Sequence, residues 1–201
     1  ISAEPPEQAI ERIPKQWHAA IGFSACGEKS DLTARASVYE VNPYFYRGTG
    51  GFRQLVARGH LARIRSLGFD TLWLMPVNSG AYTPVDSFTI APELGSGEEL
   101  REFIRAAHAE GFRVLADIVP HGGVPDSAAV RGESILSLRF GRRGEAGSYA
   151  RGYFCSDYKS KEHQAYIGRL CEWYLKEFGF DGFRLDSAEG CSANWRREGF
   201  P

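Results

Sequence analysis

The fold of this chain is constrained most by an alternation of apolar, strand-length runs with amphipathic, helix-length segments. Four runs have the composition of buried strands, near residues 37–42, 70–77, 112–119 and 182–186. Segments 51–67, 96–110 and 160–178 carry apolar residues close to helical spacing, and each is followed by a glycine, which commonly ends a helix. This alternation predicts right-handed βαβ crossovers and a parallel sheet.

A parallel sheet with helical crossovers can be either doubly wound or closed into a (β/α)8 barrel. Several polar residues lie at the C-terminal ends of the predicted strands: Asn42, Asn78, Asp117, His121, Arg184 and Asp186. In a (β/α)8 barrel the active site is built at that end from several strands. No G-x-G-x-x-G loop follows any of the runs, so a dinucleotide-binding sheet would lack its phosphate loop.

The fourth run, Gly182 to Asp186, places an arginine and an aspartate two positions apart. Because side chains on a strand alternate between its two faces, Arg184 and Asp186 should share one face. A guanidinium next to a carboxylate keeps the acid ionised, and a fixed, ionised aspartate can act as a nucleophile. Structural ion pairs at strand ends are also common, so the spacing alone leaves both interpretations open.

The residues around these strands resemble those of the α-amylase-type glycoside hydrolases and transglycosidases. The similarity is carried by four segments: Leu72–Val77, Tyr82–Asp86, Gly111–Val119 and Gly182–Asp186. Their order and spacing, from about Val38 to Asp186, are those of the family. The resemblance implies an α/β fold, a (β/α)8 TIM barrel. Residues 36–201 would supply its first four β/α units, with a loop-like excursion at 122–159 after the third strand.

The resemblance also implies a retaining enzyme that acts on the α-glucosidic bonds of α-glucans or oligosaccharides. Asp186 corresponds to the nucleophile that forms a covalent glycosyl-enzyme intermediate, and Arg184 to the arginine that orients this group and keeps it ionised. Tyr82 resembles the aromatic residue that stacks on the sugar, although an ordinary loop aromatic is the alternative. Asp86 resembles the acid that helps to fix the same loop, and we expect both residues to bind substrate.

The chain departs from the family pattern at the end of the third strand. The family motif ends D-x-V-x-N-H, whereas this sequence reads Asp117-Ile118-Val119-Pro120-His121. His121 either lies one residue early or replaces the Asn, and the resemblance gives it a substrate-binding role. In the family that Asn often helps to hold calcium, and this chain does not have it at the matching position. We therefore expect no cofactor and no metal site. Asp117 is either a structural acid beneath the nucleophile or a buried acid satisfied by Arg184 or the backbone.

A retaining glycosidase needs a second carboxylic acid, which protonates the leaving oxygen and then activates water. The family takes this acid/base glutamate from the fifth strand, so we expect it not to be in this chain. Glu189 is either a substrate-binding residue on the outgoing segment or a charge at the start of the next helix. We therefore expect the N-terminal part of a longer enzyme, inactive alone. A non-catalytic carbohydrate-binding or structural relative is the alternative.

Residues 1–35 match no strand–helix unit, and we expect an N-terminal extension or the tail of a preceding domain. The net charge of −1 argues against nucleic acid as a main partner, and no basic run or long apolar span points to a membrane. A carbohydrate is the expected partner, and the sequence defines no oligomeric state. The four cysteines show no C-x-x-C spacing and no signal peptide is visible, which favours a cytoplasmic protein with free thiols.

Overall fold

The structure is a computed structural model, which describes residues 36–57, 59–120, 122–123, 154–155 and 161–186. The predicted N-terminal segment 1–35, the residues His121 and Glu189, and most of the excursion at 122–159 lie outside these ranges. What the sequence indicates for them stays a prediction.

The described elements follow one another as strand–helix units. In chain order they are β1 (Val38–Val41), a 3₁₀ helix (Pro43–Tyr46), α1 (Phe52–Ala57), α2 (His60–Ser66), β2 (Thr71–Leu74), α3 (Gly97–Ala109), β3 (Arg113–Ile118), β4 (Gly122–Gly123), β5 (Phe154–Cys155), α4 (Lys161–Trp173), a π-helical turn (Tyr174–Phe178) and β6 (Gly182–Leu185). Pro43 starts the 3₁₀ helix, where its missing N–H is tolerated. The Asn42 side chain caps this helix by accepting the Tyr44 N–H at 3.0 Å.

The strands β1, β2, β3 and β6 form one sheet in that order, and every neighbouring pair is parallel. The predicted parallel arrangement of four strands is therefore confirmed. β2 ends at Leu74, before the end of the apolar run at Val77, since Pro76 has no N–H to donate to a strand ladder. Within the excursion, β4 and β5 pair antiparallel.

The prediction of one helix over residues 51–67 is wrong. This segment holds two helices, α1 and α2, on either side of Gly59, which has a left-handed conformation with φ of 64°. A left-handed residue cannot continue a right-handed helix, and glycine adopts this conformation without a steric penalty. Leu55 of α1 and Leu61 and Ile64 of α2 are all buried in the core, which explains why the apolar pattern resembled one helix.

The helices cover one face of the sheet. On this face the side chains of the two central strands, β2 and β3, are almost fully buried, among them Leu72, Val114 and Ile118. The helical side chains of the same core are apolar or aromatic: Phe52, Leu100, Phe103, Ile104, Leu170 and Tyr174. Burial of a side chain of this size stabilises the fold by about 1.5–3 kcal/mol. This layer is the structural core of the described residues.

The opposite face of the sheet carries polar side chains. Trp73 of β2 lies level with Leu115 of β3 and Gly182 of β6. Asp117 and Arg184 lie level with each other, two residues further along their strands. Because register partners in parallel strands point to the same face, the aspartate and the arginine lie side by side. We call the C-terminal ends of the strands the upper rim and their N-terminal ends the lower rim.

A three-residue pattern recurs at the lower rim. It is Gly-Phe followed by a charged residue: Gly68–Asp70, Gly111–Arg113 and Gly179–Asp181. Each glycine follows a helical segment with φ between 81° and 92°, a common way to end a helix. Asp70 accepts the Ser37 N–H at 3.0 Å, and Asp181 accepts the Val114 N–H at 2.7 Å. In these two copies the pattern ends a helix and ties the next strand to its neighbour.

The helix α3 begins with Ser96 as its N-cap, at the first residue of the predicted helical segment 96–110. The Ser96 hydroxyl accepts the Glu99 N–H at 3.2 Å, and the Glu99 carboxylate accepts the Ser96 N–H at 2.6 Å. This reciprocal pair satisfies two donors that a helix leaves unpaired at its start. Among the described residues, the helices are all too short or too polar to cross a bilayer.

Candidate active site

The centre of the polar face is the carboxylate of Asp117, near the end of β3. This side chain is fully buried, with 0% of its surface exposed. Three side chains donate to it: Trp73 Nε1 to Oδ2 at 2.9 Å, Tyr82 OH to Oδ2 at 2.8 Å, and Arg184 Nη1 to both oxygens at 3.1 Å. A buried charge must be paired and hydrogen-bonded to be tolerated, and these donors meet that requirement.

Arg184 joins Asp117 to a second acid. The same Nη1 atom that donates to Asp117 also donates to Asp186 Oδ1 at 2.5 Å. The backbone holds Asp186 in place, because its N–H extends the strand ladder to the Ile118 carbonyl at 2.8 Å. The Asp186 side chain is 16% exposed, compared with 0% for Asp117. Of the two acids, Asp186 is therefore the one that a ligand at the upper rim can reach.

Two aromatic rings flank the guanidinium of Arg184. Its Cζ atom lies 4.4 Å from the centroid of the Trp73 ring and 6.0 Å from that of the Tyr82 ring. At the shorter distance the cation is attracted by the negative face of the ring. Because Trp73 and Tyr82 also donate to Asp117, each of them contacts both members of the buried ion pair.

Burial and hydrogen bonding act in opposite directions on these charges. Burial raises the pKa of Asp117 above its ordinary value, and the hydrogen bonds from its three donors reduce that rise. Burial by itself would lower the pKa of Arg184, but its bonds to Asp117 and Asp186 raise it, so the guanidinium stays charged. Burial and the bond to Asp117 also raise the pKa of Tyr82, which keeps its hydroxyl protonated as a donor.

Tyr82 projects from a tight loop between β2 and α3. Gly80 in this loop has φ of 91°, and a Cβ atom there would lie 2.2 Å from the Thr83 carbonyl oxygen. The Thr83 N–H closes the turn by donating to the Gly80 carbonyl at 2.8 Å. A side chain at position 80 would therefore force the loop to move. This turn fixes the position from which the Tyr82 hydroxyl reaches Asp117.

A second contact ties this loop to the segment after β1. The Tyr44 hydroxyl donates to the Asn78 carbonyl at 2.8 Å, and burial raises the pKa of Tyr44 to about 12. Asn78 is itself buried, and its amide nitrogen lies 3.4 Å from the carbonyls of Ser79 and Ala81. The upper rim is thereby connected from β1 to β2.

Asp86 lies four residues after Tyr82 and makes local contacts. Its Oδ1 accepts the Phe88 N–H at 2.9 Å, and its carbonyl accepts the Thr89 hydroxyl at 2.9 Å. An aspartate that binds the N–H two residues later forms a turn with its own side chain. This geometry supports a part in fixing the loop, while substrate binding by Asp86 stays a prediction.

The structure brings four residues selected from the sequence into one hydrogen-bonded cluster: Tyr82, Asp117, Arg184 and Asp186. Arg184 pairs with Asp117 and also links it to Asp186, so these contacts are compatible with both interpretations of Asp117. His121 and Glu189 lie outside the described residues. Within the described ranges, no three His, Cys, Asp or Glu side chains form a group that could hold a metal ion.

Trp73 belongs to the same cluster, and the sequence reasoning missed it. One signal in the sequence points to it, because an indole N–H inside a protein usually needs an acceptor, and a buried carboxylate on a neighbouring strand is a suitable one. The register that places Trp73 level with Leu115, on the face that carries Asp117, is a property of the structure.

Comparison with curated proteins finds relatives over most of the chain. A 1,4-α-glucan branching enzyme of Thiobacillus denitrificans is 32% identical in a 198-residue alignment that covers 90% of this chain and 26% of that enzyme. The protein named alpha-amylase 2 of Dictyoglomus thermophilum is 28% identical in a 158-residue alignment that covers 73% of this chain and 28% of its own length. The chain thus spans about a quarter of the length of these relatives.

Comparison with solved structures finds the same fold. A maltogenic α-amylase of Thermotoga neapolitana superimposes with a TM-score of 0.63 at 22% identity, over 81% of this chain and 43% of that one. The parallel sheet of β1, β2, β3 and β6 is accordingly part of a (β/α)8 barrel, as the sequence predicts. No protein-family model matches the chain.

Proposed function

The chain belongs to the α-amylase family of glycoside hydrolases and transglycosidases, and from that premise we propose that it supplies the nucleophile of a retaining active site for α-glucosidic bonds. The relatives described above are named as a 1,4-α-glucan branching enzyme and an α-amylase. An α-glucan or a related oligosaccharide is therefore the substrate class that we propose. The activity is proposed for the intact protein that carries these residues.

One observation carries the proposal, namely that a single nitrogen of Arg184 donates to both Asp117 and Asp186. The buried Asp117 fixes the guanidinium, and the guanidinium in turn fixes the more exposed Asp186. Asp186 stands directly after β6, at the upper rim, where catalytic groups of (β/α)8 enzymes are found. A carboxylate held in this way is ready for nucleophilic attack without reorganising its surroundings.

In the proposed reaction a carboxylate oxygen of Asp186 attacks the anomeric carbon of the sugar. An ester bond forms, the bond from that carbon to the glycosidic oxygen breaks, and the leaving oxygen takes a proton from a general acid. Water or a sugar hydroxyl then attacks the same carbon, loses its proton to the same general acid/base group and releases Asp186. Attack by water gives hydrolysis, and attack by a sugar hydroxyl gives glycosyl transfer.

The remaining residues have supporting parts in this proposal. Arg184 keeps Asp186 oriented before and after each covalent step. The hydroxyl of Tyr82 donates a hydrogen bond to Asp117, which leaves the face of the Tyr82 ring as the surface proposed to stack on the sugar. Contacts of Asp86, His121 and Glu189 with the sugar are proposed from the family resemblance.

The test is Asp186→Asn in the intact protein, assayed on maltooligosaccharides by new reducing ends and by chain transfer. The amide keeps the shape of the acid and is a far weaker nucleophile, so kcat should fall about 10⁴-fold or more. A fluorinated glucosyl fluoride, whose ring fluorine slows release of the sugar, should label the wild-type protein on the peptide that contains Asp186. Mass spectrometry of that peptide identifies the labelled residue.

Asp181→Asn is the matched control, because Asp181 stands just before the same strand and undergoes the same chemical change at the lower rim. It should leave kcat within about twofold of wild type. The proposal is wrong if Asp186→Asn keeps more than about a tenth of the wild-type rate, or if the label forms on another residue. A protein that binds glucans with no turnover and no label would be a non-catalytic relative.

A further inference from the structure

We propose that Trp73 is a positioning residue of this site, whose indole N–H fixes the Asp117 carboxylate while its ring face supports the Arg184 guanidinium. The inference rests on the proposed role of Asp186 as nucleophile. It assigns a part in the reaction to a strand residue that is not itself expected to touch the sugar.

The contacts of Trp73 have two separate directions. Its Nε1 atom donates to Asp117 Oδ2 at 2.9 Å, along the edge of the indole. The Cζ atom of Arg184 lies over the indole ring, 4.4 Å from its centroid, which is a contact through the face of the indole. One rigid side chain thus sets the position of the acid and of the cation at the same time.

The strand register explains how Trp73 reaches both groups. Trp73 lies level with Leu115 and Gly182, one layer below Asp117 and Arg184. Gly182 has no side chain, and a Cβ atom there would lie only 3.1 Å from Leu115 Cδ2. Leu115 therefore occupies the space beside Gly182, and the large indole from β2 is the side chain that reaches up to the pair.

The position of Arg184 decides the position of Asp186, because one nitrogen of the guanidinium donates to both acids. Movement of Asp117 or Arg184 after loss of the Trp73 contacts should pass directly to the Asp186 carboxylate. Misplacement of a reacting group by about 1 Å can reduce the rate about 100-fold. A tryptophan with a packing role alone would have no such effect on the rate.

The test uses the intact protein with Trp73→Phe, which keeps an aromatic face and removes the N–H. We expect kcat to fall about 10–100-fold while KM changes less than about twofold, because the sugar contacts stay in place. Trp173→Phe is the control, since Trp173 packs against Tyr174 and Phe178 in the helical layer. It should lower the melting temperature and leave kcat unchanged.

A second variant separates the N–H from the ring and covers a failure of Trp73→Phe to fold. β-(3-Benzothienyl)alanine at position 73 has the shape of tryptophan with sulfur in place of the N–H group. Loss of this donor should raise the pKa of Asp117 further, because a hydrogen bond to the charged form is removed. Tyr82 and Arg184 still donate to that carboxylate, and Asp186 shares Arg184. Activity of the variant should therefore be lost at a higher pH on acidification than in wild type.

Two outcomes would overturn the inference. In the first, Trp73→Phe folds and keeps the wild-type kcat. In the second, the benzothienyl variant keeps both the wild-type kcat and the wild-type pH profile. If one of these outcomes is seen and Asp186→Asn is inactive in the same assays, only the proposed role of Trp73 is refuted. If Asp186→Asn is active, the proposed function itself fails, whatever Trp73 does.

Discussion

The two rims of the sheet use hydrogen-bonded aspartates in different ways. At the lower rim Asp181 accepts the Val114 N–H at 2.7 Å and contacts His108 Nε2 at 2.9 Å, and its side chain is 36% exposed. At the upper rim Asp117 is completely buried and accepts only side-chain donors among its described contacts. At the lower rim an aspartate side chain thus binds the backbone of the neighbouring strand, while at the upper rim side chains from separate elements bind to one another.

The pKa shifts show the same contrast. The pKa of Asp70 at the lower rim is lowered, first by the Thr71 hydroxyl and also by the Ser37 N–H, so its charge adds to stability. The pKa of Asp117 at the upper rim is raised by burial, against the action of its donors. Keeping Asp117 charged therefore costs stability, and a part in the proposed reaction would account for that cost. The lower rim stabilises the fold, and the upper rim carries the residues of the proposed site.

Among the variants that compare the two rims, Arg184→Met should have the largest effect, because it removes the cation that joins the two acids. Asp117 would be left buried without its partner, and the intact protein should lose up to about 3 kcal/mol of unfolding free energy, near the lower end for a broken buried pair because Arg184 is 34% exposed. The rate should fall about 100-fold or more as Asp186 loses its position. Urea denaturation and kinetics on maltooligosaccharides measure both.

Arg113→Met at the lower rim is the matched control, because Arg113 is exposed at the first position of β3. Its effect should stay within about 0.5 kcal/mol and about twofold in rate. Equal losses in the two variants would contradict the assignment of separate tasks to the rims.

A smaller effect is expected from Gly80→Ala, compared with Gly179→Ala. Both glycines have positive φ, but a Cβ atom meets the Thr83 carbonyl at position 80 and open space at position 179. Gly80→Ala should cost about 1–3 kcal/mol and reduce the rate about tenfold, because the loop that carries Tyr82 must shift. Gly179→Ala should cost about 1 kcal/mol with no change in rate. Thermal melts and steady-state kinetics of both variants measure these effects. A loss of rate in Gly179→Ala alone would contradict the expected link between the Gly80 loop and the site.

The smallest effect concerns the pH dependence of stability. Because the folded pKa of Asp70 is lowered, its contribution is present above the unfolded pKa of about 3.9 and is lost as pH falls through the folded pKa. Asp70→Asn should remove this acid-side loss, which amounts to less than about 1 kcal/mol. Because the folded pKa of Asp117 is raised, its effect has the opposite sign. The free energy of unfolding should increase as the pH falls through the folded pKa of Asp117. Urea titrations of Asp70→Asn and Asp117→Asn between pH 3 and pH 7 give the unfolding free energy as a function of pH. The two variants should change the slope of this plot in opposite directions, and changes of the same sign would contradict the contrast between the rims.

Several features of the fold follow from short stretches of sequence. The parallel order of the four strands was predictable from the alternation of strand-length and helix-length segments. The start of a helix near residue 96 and the shared face of Arg184 and Asp186 were also predictable, because each depends on neighbours within a few residues. The break at Gly59 was not predicted, since a glycine inside an apolar pattern can continue a helix or end it. Packing of α1 and α2 against the sheet decides between these two possibilities.

The sequence by itself determined which residues could share a strand face, and therefore that Arg184 and Asp186 would meet. Only the tertiary structure decided that Trp73 and Asp117, 44 positions apart, are joined by a hydrogen bond. The physical reason is that strand periodicity is a local property of two residues per repeat, whereas a contact between strands depends on their register. Register is set by the whole set of packed helices and loops, and it places Trp73 beneath the ion pair that holds Asp186.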